Sequence, residues 1–139
     1  MTRPSITPCL LYPDALAAIE FLCTALGFTR HLIVPGFTPD QVAHSQLLLD
    51  GNMIMVSSAG PGPRERFGMV APADTGGLVT SCLSVCVADP DAHHARAAAA
   101  GATVIAPPHD NPFGGRAYEV RDIGGNVWNF SSFDPYAAS

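Results

Sequence analysis

The residues whose types and spacing could do chemistry are Thr7, Cys9, His44, Gln46, Met53, Met55, Cys82, Ser84, Arg116, Tyr118 and Asn129. They stand at alternate positions of short apolar runs, so strand periodicity of two turns each set toward one face. That face would be a sulfur-rich, otherwise apolar wall with a few donors and acceptors, suited to a small amphipathic or planar ligand. His44 can serve as a hydrogen-bonding wall residue, a satisfied structural histidine or a general base. Tyr118 and Asn129 divide between ligand contact and local packing, and Arg116 between an anionic ligand and pairing with Glu119 or Asp122.

Other candidates read more plainly. His93 and His94 fall near the start of a helix, where a solvated surface is expected. His109, Asp110, Asn111 and Phe113 lie in PPHDNPFGG, a loop that could border the cleft or simply pack. Trp128 and Phe130 have the opposite parity to Asn129 and are expected in the core. Cys9, Cys82 and Cys86 could meet electrophiles, yet no lysine is present to activate them or to form Schiff bases. Twelve acids against seven arginines argue against a phosphate-binding surface, so no nucleic-acid partner is expected. No apolar run is long enough to span a bilayer, and the four cysteines lack metal or scaffold spacing. A cytoplasmic protein with free thiols, no cofactor and no membrane partner is the expectation.

The elements that position these residues come from a repeat. VAHSQLLLDGNMIMVSS at 42–58 matches RAYEVRDIGGNVWNFSS at 116–132 at an offset of 74, with five identities, and Gly27 falls on Gly101 at the same offset. Asp14 matches Asp89 at 75. Asp14 can cap a helix to about residue 26, with Leu16, Ile19, Leu22, Cys23 and Leu26 as its stripe. Asp89-Pro90 opens a second helix whose packing face is assigned to Ala92, Ala95, Ala98 and Ala99. Strands are predicted at 6–12, 28–34, 42–49 and 53–58, then at 81–87, 102–106, 116–121 and 127–132, with tight turns at Asp50-Gly51-Asn52 and Gly124-Gly125-Asn126. The Gly- and Pro-rich stretch 59–78 is read as a connection without an element of its own. The prediction is an α+β single domain over 1–139: module one at about 5–58, linker 59–78, module two at about 79–133, each module βαβββ, paired around a concave cleft.

With ITPCLLYPDALAAIEFLCTALGF, AHSQLLLDGNMIM, VADPDAHHARAAAAGA and RAYEVRDIGGNVWNF in place, the chain resembles the vicinal oxygen chelate superfamily, specifically its glyoxalase/bleomycin-resistance-like group. The resemblance implies that metal-binding members take ligands from the first and last strands of each module. Those positions here are Thr7, Met55, Cys82 and Asn129, which depart from His/Glu ligation, so no metal is expected. The resemblance then implies noncatalytic binding or sequestration of a small hydrophobic or aromatic molecule, as in antibiotic-resistance members, by a homodimer. Two alternatives stay open: a lyase or dioxygenase with a displaced metal site or a metal-free acid/base, and a structural or regulatory protein with an unused cleft.

Overall fold

The computed structural model describes residues 5–137. Strand β1 (Cys9–Tyr12) leads into α1 (Ala15–Leu26), followed by β2 (Thr29–Pro35), β3 (Val42–Leu49) and β4 (Asn52–Ser58). A connecting helix α2 (Pro61–Phe67) and a 3-10 turn at Pro72–Thr75 come next. The plan then repeats as β5 (Cys82–Cys86), α3 (Pro90–Ala99), β6 (Thr103–Asp110), β7 (Arg116–Arg121) and β8 (Val127–Ser131). The sheets have equivalent orders, β1-β4-β3-β2 and β5-β8-β7-β6. In each, the first strand pairs parallel with the last and the other pairs are antiparallel, which gives the two βαβββ modules expected.

Local chemistry sets the boundaries. Asp14 accepts a hydrogen bond from the Ala17 amide at 3.1 Å, and Asp89 from the Ala92 amide at 3.0 Å, so both predicted caps form. Asp50 and Gly51 both take positive φ, 49° and 80°, making the two-residue hairpin between β3 and β4. The connection between β7 and β8 is longer, because the Asp122 amide bonds the Asn126 carbonyl and leaves Ile123, Gly124 and Gly125 between them. Gly124 cannot carry a side chain, since a Cβ there would lie 2.3 Å from the Tyr12 ring.

Four expectations need correction. Leu16 is 41% exposed, and α1 instead buries Ala15, Ala18, Ile19, Leu22, Ala25 and Leu26. On α3 the four alanines assigned to the packing face are exposed, while Pro90 and Ala97 are buried and His93 is half-buried between them. The spacing 90, 93, 97 is a proper helical stripe, hidden in sequence because its middle member is a histidine. The 59–78 stretch contains α2, whose prolines occupy its first turn where amide donors are unneeded and whose end is closed by left-handed Gly68. Pro107 and Pro108 likewise lie within β6 rather than a loop, which an edge strand tolerates because its outer amides need no ladder partner.

One buried cluster spans both modules, with α1 packed on α3 and Phe28 edge-on to Trp128. Arg96 of α3 donates to the carbonyls of Thr24 and Cys23, both at 3.0 Å, and His93 bonds the Leu26 carbonyl at 2.8 Å. Side chains of the second module therefore close the last turn of the first module's helix, whose carbonyls have no partner within the helix. His93 is thus an inter-module bond and not a solvated surface residue.

Candidate functional site

Where edge strands β1 and β5 approach, the surface opens into a groove of about 710 Å³. Thr7, Cys9, Leu48 and Met53 line it from the first module, and Cys82 and Ser84 from the second. Leu10, Ile54, Leu83 and Val85, which alternate to the helix side of their strands, also reach it, so the groove penetrates between the sheets. Among the described residues no lining side chain is charged.

Beside the groove, register builds two unlike rows. In the first sheet Cys9 stands opposite Met55, and Met55 opposite Gln46. The Cys9 thiol is 3.9 Å from the Met55 sulfur, and Gln46 bonds the His44 ring at 3.1 Å. In the second sheet the equivalent row is polar: the Ser84 hydroxyl donates to Asn129 Oδ1 at 3.0 Å, and Asn129 Nδ2 donates to Glu119 Oε1 at 3.1 Å. His109 Nε2 completes it on Glu119 Oε2 at 2.9 Å. The Glu119 bond raises the His109 pKa above the ordinary imidazole value.

The expected cleft orientation of Arg116 and Tyr118 is incorrect. Tyr118 is fully buried, stacked on Phe130 and bonded to His93. Arg116 grips Asp91 of α3 through Nε at 2.7 Å and Nη2 at 3.1 Å and reaches Asp110 at 3.2 Å, pairing with neither Glu119 nor Asp122. The cause is the extra residue in the β7–β8 turn. Relative to the first module it moves β7 by one position against β8, and a one-residue slip exchanges the faces. Glu119, not Tyr118, consequently occupies the place across from the last strand that Gln46 holds in the first module. Comparing the two turn lengths was the signal that could have revealed Glu119; His109, named only within a loop that could border the cleft, could not be paired with it once β6 was taken to end at 106.

The donors do not suit a hard divalent ion. Register sets Cys9 opposite Met55 and Ser84 opposite Asn129, leaving Thr7 and Cys82 two residues upstream. Either reading gives sulfur, hydroxyl and amide donors where imidazole and carboxylate are required. Among the described residues no three His, Cys, Asp or Glu side chains converge.

Comparison with known proteins agrees with this architecture. Residues 6–130 match the family model for the Glyoxalase/Bleomycin resistance protein/Dioxygenase superfamily. An uncharacterized protein of Mycobacterium bovis is 32% identical over 128 residues, covering 91% of this chain and 82% of that one. Among solved structures, TioX from Micromonospora sp. ML1 is similar with a TM-score of 0.72 and 29% identity, over 97% of this chain and all of that chain. A glyoxalase/bleomycin resistance protein/dioxygenase from Nocardioides gives 0.63 at 25% identity, over 100% of this chain and 92% of that one.

Proposed function

The chain belongs to the glyoxalase/bleomycin resistance protein/dioxygenase superfamily, and on that premise we propose that it binds and sequesters a small hydrophobic or aromatic compound without transforming it. The observation that carries this reading is the groove of about 710 Å³ between β1 and β5, uncharged among the described residues, where Leu, Ile, Met, Val and Cys are interspersed with Ser5, Thr7, Asn52, Ser81 and Ser84. Its size suits a drug-sized molecule, and apolar walls with sparse polar groups are the usual composition of such sites. His44, Gln46, Met55 and Asn129, on the sheet faces beside the groove, are the proposed contacts for the compound's polar rim.

Planar aromatic compounds are expected to raise the melting temperature, while sugars of equal size leave it unchanged. At a concentration 100 times Kd, binding adds about 2.7 kcal/mol to stability. Met53→Lys, which brings a charge to the groove wall, should remove most of that gain. His44→Ala should weaken binding by about 0.5–1.5 kcal/mol, the value of one lost hydrogen bond. Equal shifts for the aromatic and sugar sets would refute the assignment.

A second reading rests on the carboxylate–imidazole pair Glu119–His109, which could move a proton on a bound compound. Turnover of a bound aromatic, lost in Glu119→Gln with binding retained, would favour it over sequestration.

We also infer a homodimer. Strand β2 is a sheet edge exposed along its whole length, carrying Leu32, Ile33 and Val34 at 44%, 36% and 40% exposure. Such an edge invites pairing unless another surface covers it. Light scattering on a size-exclusion column should give twice the chain mass across a wide dilution range, and Val34→Lys should shift it toward one chain. A single-chain mass at every concentration would reject the inference.

A further inference from the structure

We propose that Cys9 and Met55 form a binding site for a soft monovalent metal cation of the Cu(I) class. The pair results from register: β1 and β4 run parallel with Cys9 directly opposite Met55, which sets Sγ and Sδ 3.9 Å apart on the face turned away from the helices. Cys9 is exposed and reduced, so an ion can reach it without unfolding. The matching pair in the second module, Ser84 and Asn129, meets through oxygen atoms at 3.0 Å. Duplication has therefore left one sulfur site and one oxygen site in the same fold.

The donors select the ion. A thiolate and a thioether are soft ligands that favour Cu(I) over Mg(II), Mn(II) or an oxygenase-type iron. With metal–sulfur bonds of about 2.3 Å, as for zinc thiolates, sulfurs at this separation subtend roughly 115° at the ion. That angle is close to trigonal and leaves a third position for solvent or another donor. Charge separates monovalent from divalent ions. One thiolate neutralises Cu(I), whereas a divalent ion would leave a net positive charge beside a groove that has no charged side chain among the described residues. In the binding step the Cys9 S–H bond breaks, its proton passes to solvent and a sulfur–metal bond forms; copper stays Cu(I) throughout.

The site does not depend on the aromatic compound, and the test omits any organic ligand other than the indicator. Cu(I), generated anaerobically with ascorbate, is titrated against a colorimetric Cu(I) chelator in competition with the purified protein. One Cu(I) per chain is expected, with about one proton released. Cys9→Ser should reduce retention to background and Met55→Leu should weaken it at least tenfold. Cys23→Ser, Cys82→Ser and Cys86→Ser should each stay within twofold of the parent, and excess Zn(II) should not displace the copper. Met55→Gln serves as a second thioether deletion, and circular dichroism verifies that each variant is folded. Unchanged affinity in both Met55 variants, a loss in Cys82→Ser equal to that in Cys9→Ser, or displacement by Zn(II) would overturn the proposal.

Discussion

Asp122→Ala will lower stability by about 3–5 kcal/mol, because several buried donors lose their acceptor at about 1–3 kcal/mol each. Asp122 is 5% exposed and accepts four hydrogen bonds. Its Oδ2 takes the Tyr12 hydroxyl at 2.6 Å and the Trp128 indole N–H at 2.9 Å. Its Oδ1 takes the amides of Gly124 and Asn126, both at 2.9 Å. Alanine would strand all four donors where water has little access, and each buried unsatisfied group costs about 1–3 kcal/mol. Because a domain of this size has only about 5–15 kcal/mol in total, the variant should show a much lower urea midpoint. A change below about 1 kcal/mol would mean that the network is not a determinant of stability.

Tyr12→Phe separates the inter-module part of this network. Tyr12 ends the first strand of module one and Asp122 opens a turn of module two, so their bond joins residues 110 apart in the chain. Phenylalanine keeps the ring and leaves Asp122 three donors, and the expected loss is about 1.5–3 kcal/mol, the range for a hydrogen bond to a charged group. Burial first, and the neighbouring carboxylate second, hold the Tyr12 hydroxyl pKa well above its usual value, so it remains a donor through the neutral and mildly alkaline range.

Much of this fold was legible because duplication wrote its signals twice. Asp14 and Asp89 cap their helices as read, and Gly27 and the Asp50-Gly51 turn take the left-handed conformations their positions demand. The periodicity that placed Met55 and Asn129 on one face and Trp128 and Phe130 on the other was also reliable, since each lies in a short unbroken strand. What failed was the assumption that 42–58 and 116–132 align without a gap. The extra residue between Asp122 and Asn126 put Tyr118 in the core and Glu119 on the open face, and no residue within β7 announces the slip. His93 was misread for another reason. A histidine on a helix looks solvated until the partners of both its nitrogens are known, and those partners, Leu26 and Tyr118, are distant in sequence. The groove was legible in composition alone, because its position depends on how two sheet edges approach and not on either strand.

Those partners make His93 the residue whose protonation should be felt most strongly. The Leu26 carbonyl can only accept, so Nε2 carries the proton and Nδ1 accepts from the Tyr118 hydroxyl at 2.5 Å. A second proton would turn Nδ1 into a donor and oblige the buried hydroxyl to find another acceptor. The ring also lies 4.0 Å from Phe130. Burial is the main cause that lowers the His93 pKa; the Leu26 bond opposes it, Arg96 adds to it and Asp50 opposes it, while His94 rests edge-on against Tyr118. The folded state therefore binds this proton less readily than the unfolded chain. Its stability contribution is fully present above the unfolded value of about 6.5 and declines as pH falls below it, until the folded-state pKa is reached. The slope should stay below the one-proton limit of about 1.4 kcal/mol per pH unit, because the half-buried ring still sees solvent. His109 acts with the opposite sign: its raised pKa gives stability below about 6.5 that is lost as pH rises through the folded value. Urea melts from pH 8 to 5 should therefore show a gain in the parent as pH falls toward 6.5 that His109→Gln lacks, and the same decline below 6.5 in both. His93→Ala should cost about 2–3 kcal/mol at pH 7.5 by stranding the Tyr118 hydroxyl, and it should flatten the decline between pH 6.5 and 5. An acid decline of the same steepness in His93→Ala would place the titrating group elsewhere and remove His93 as the pH-sensitive link between the modules.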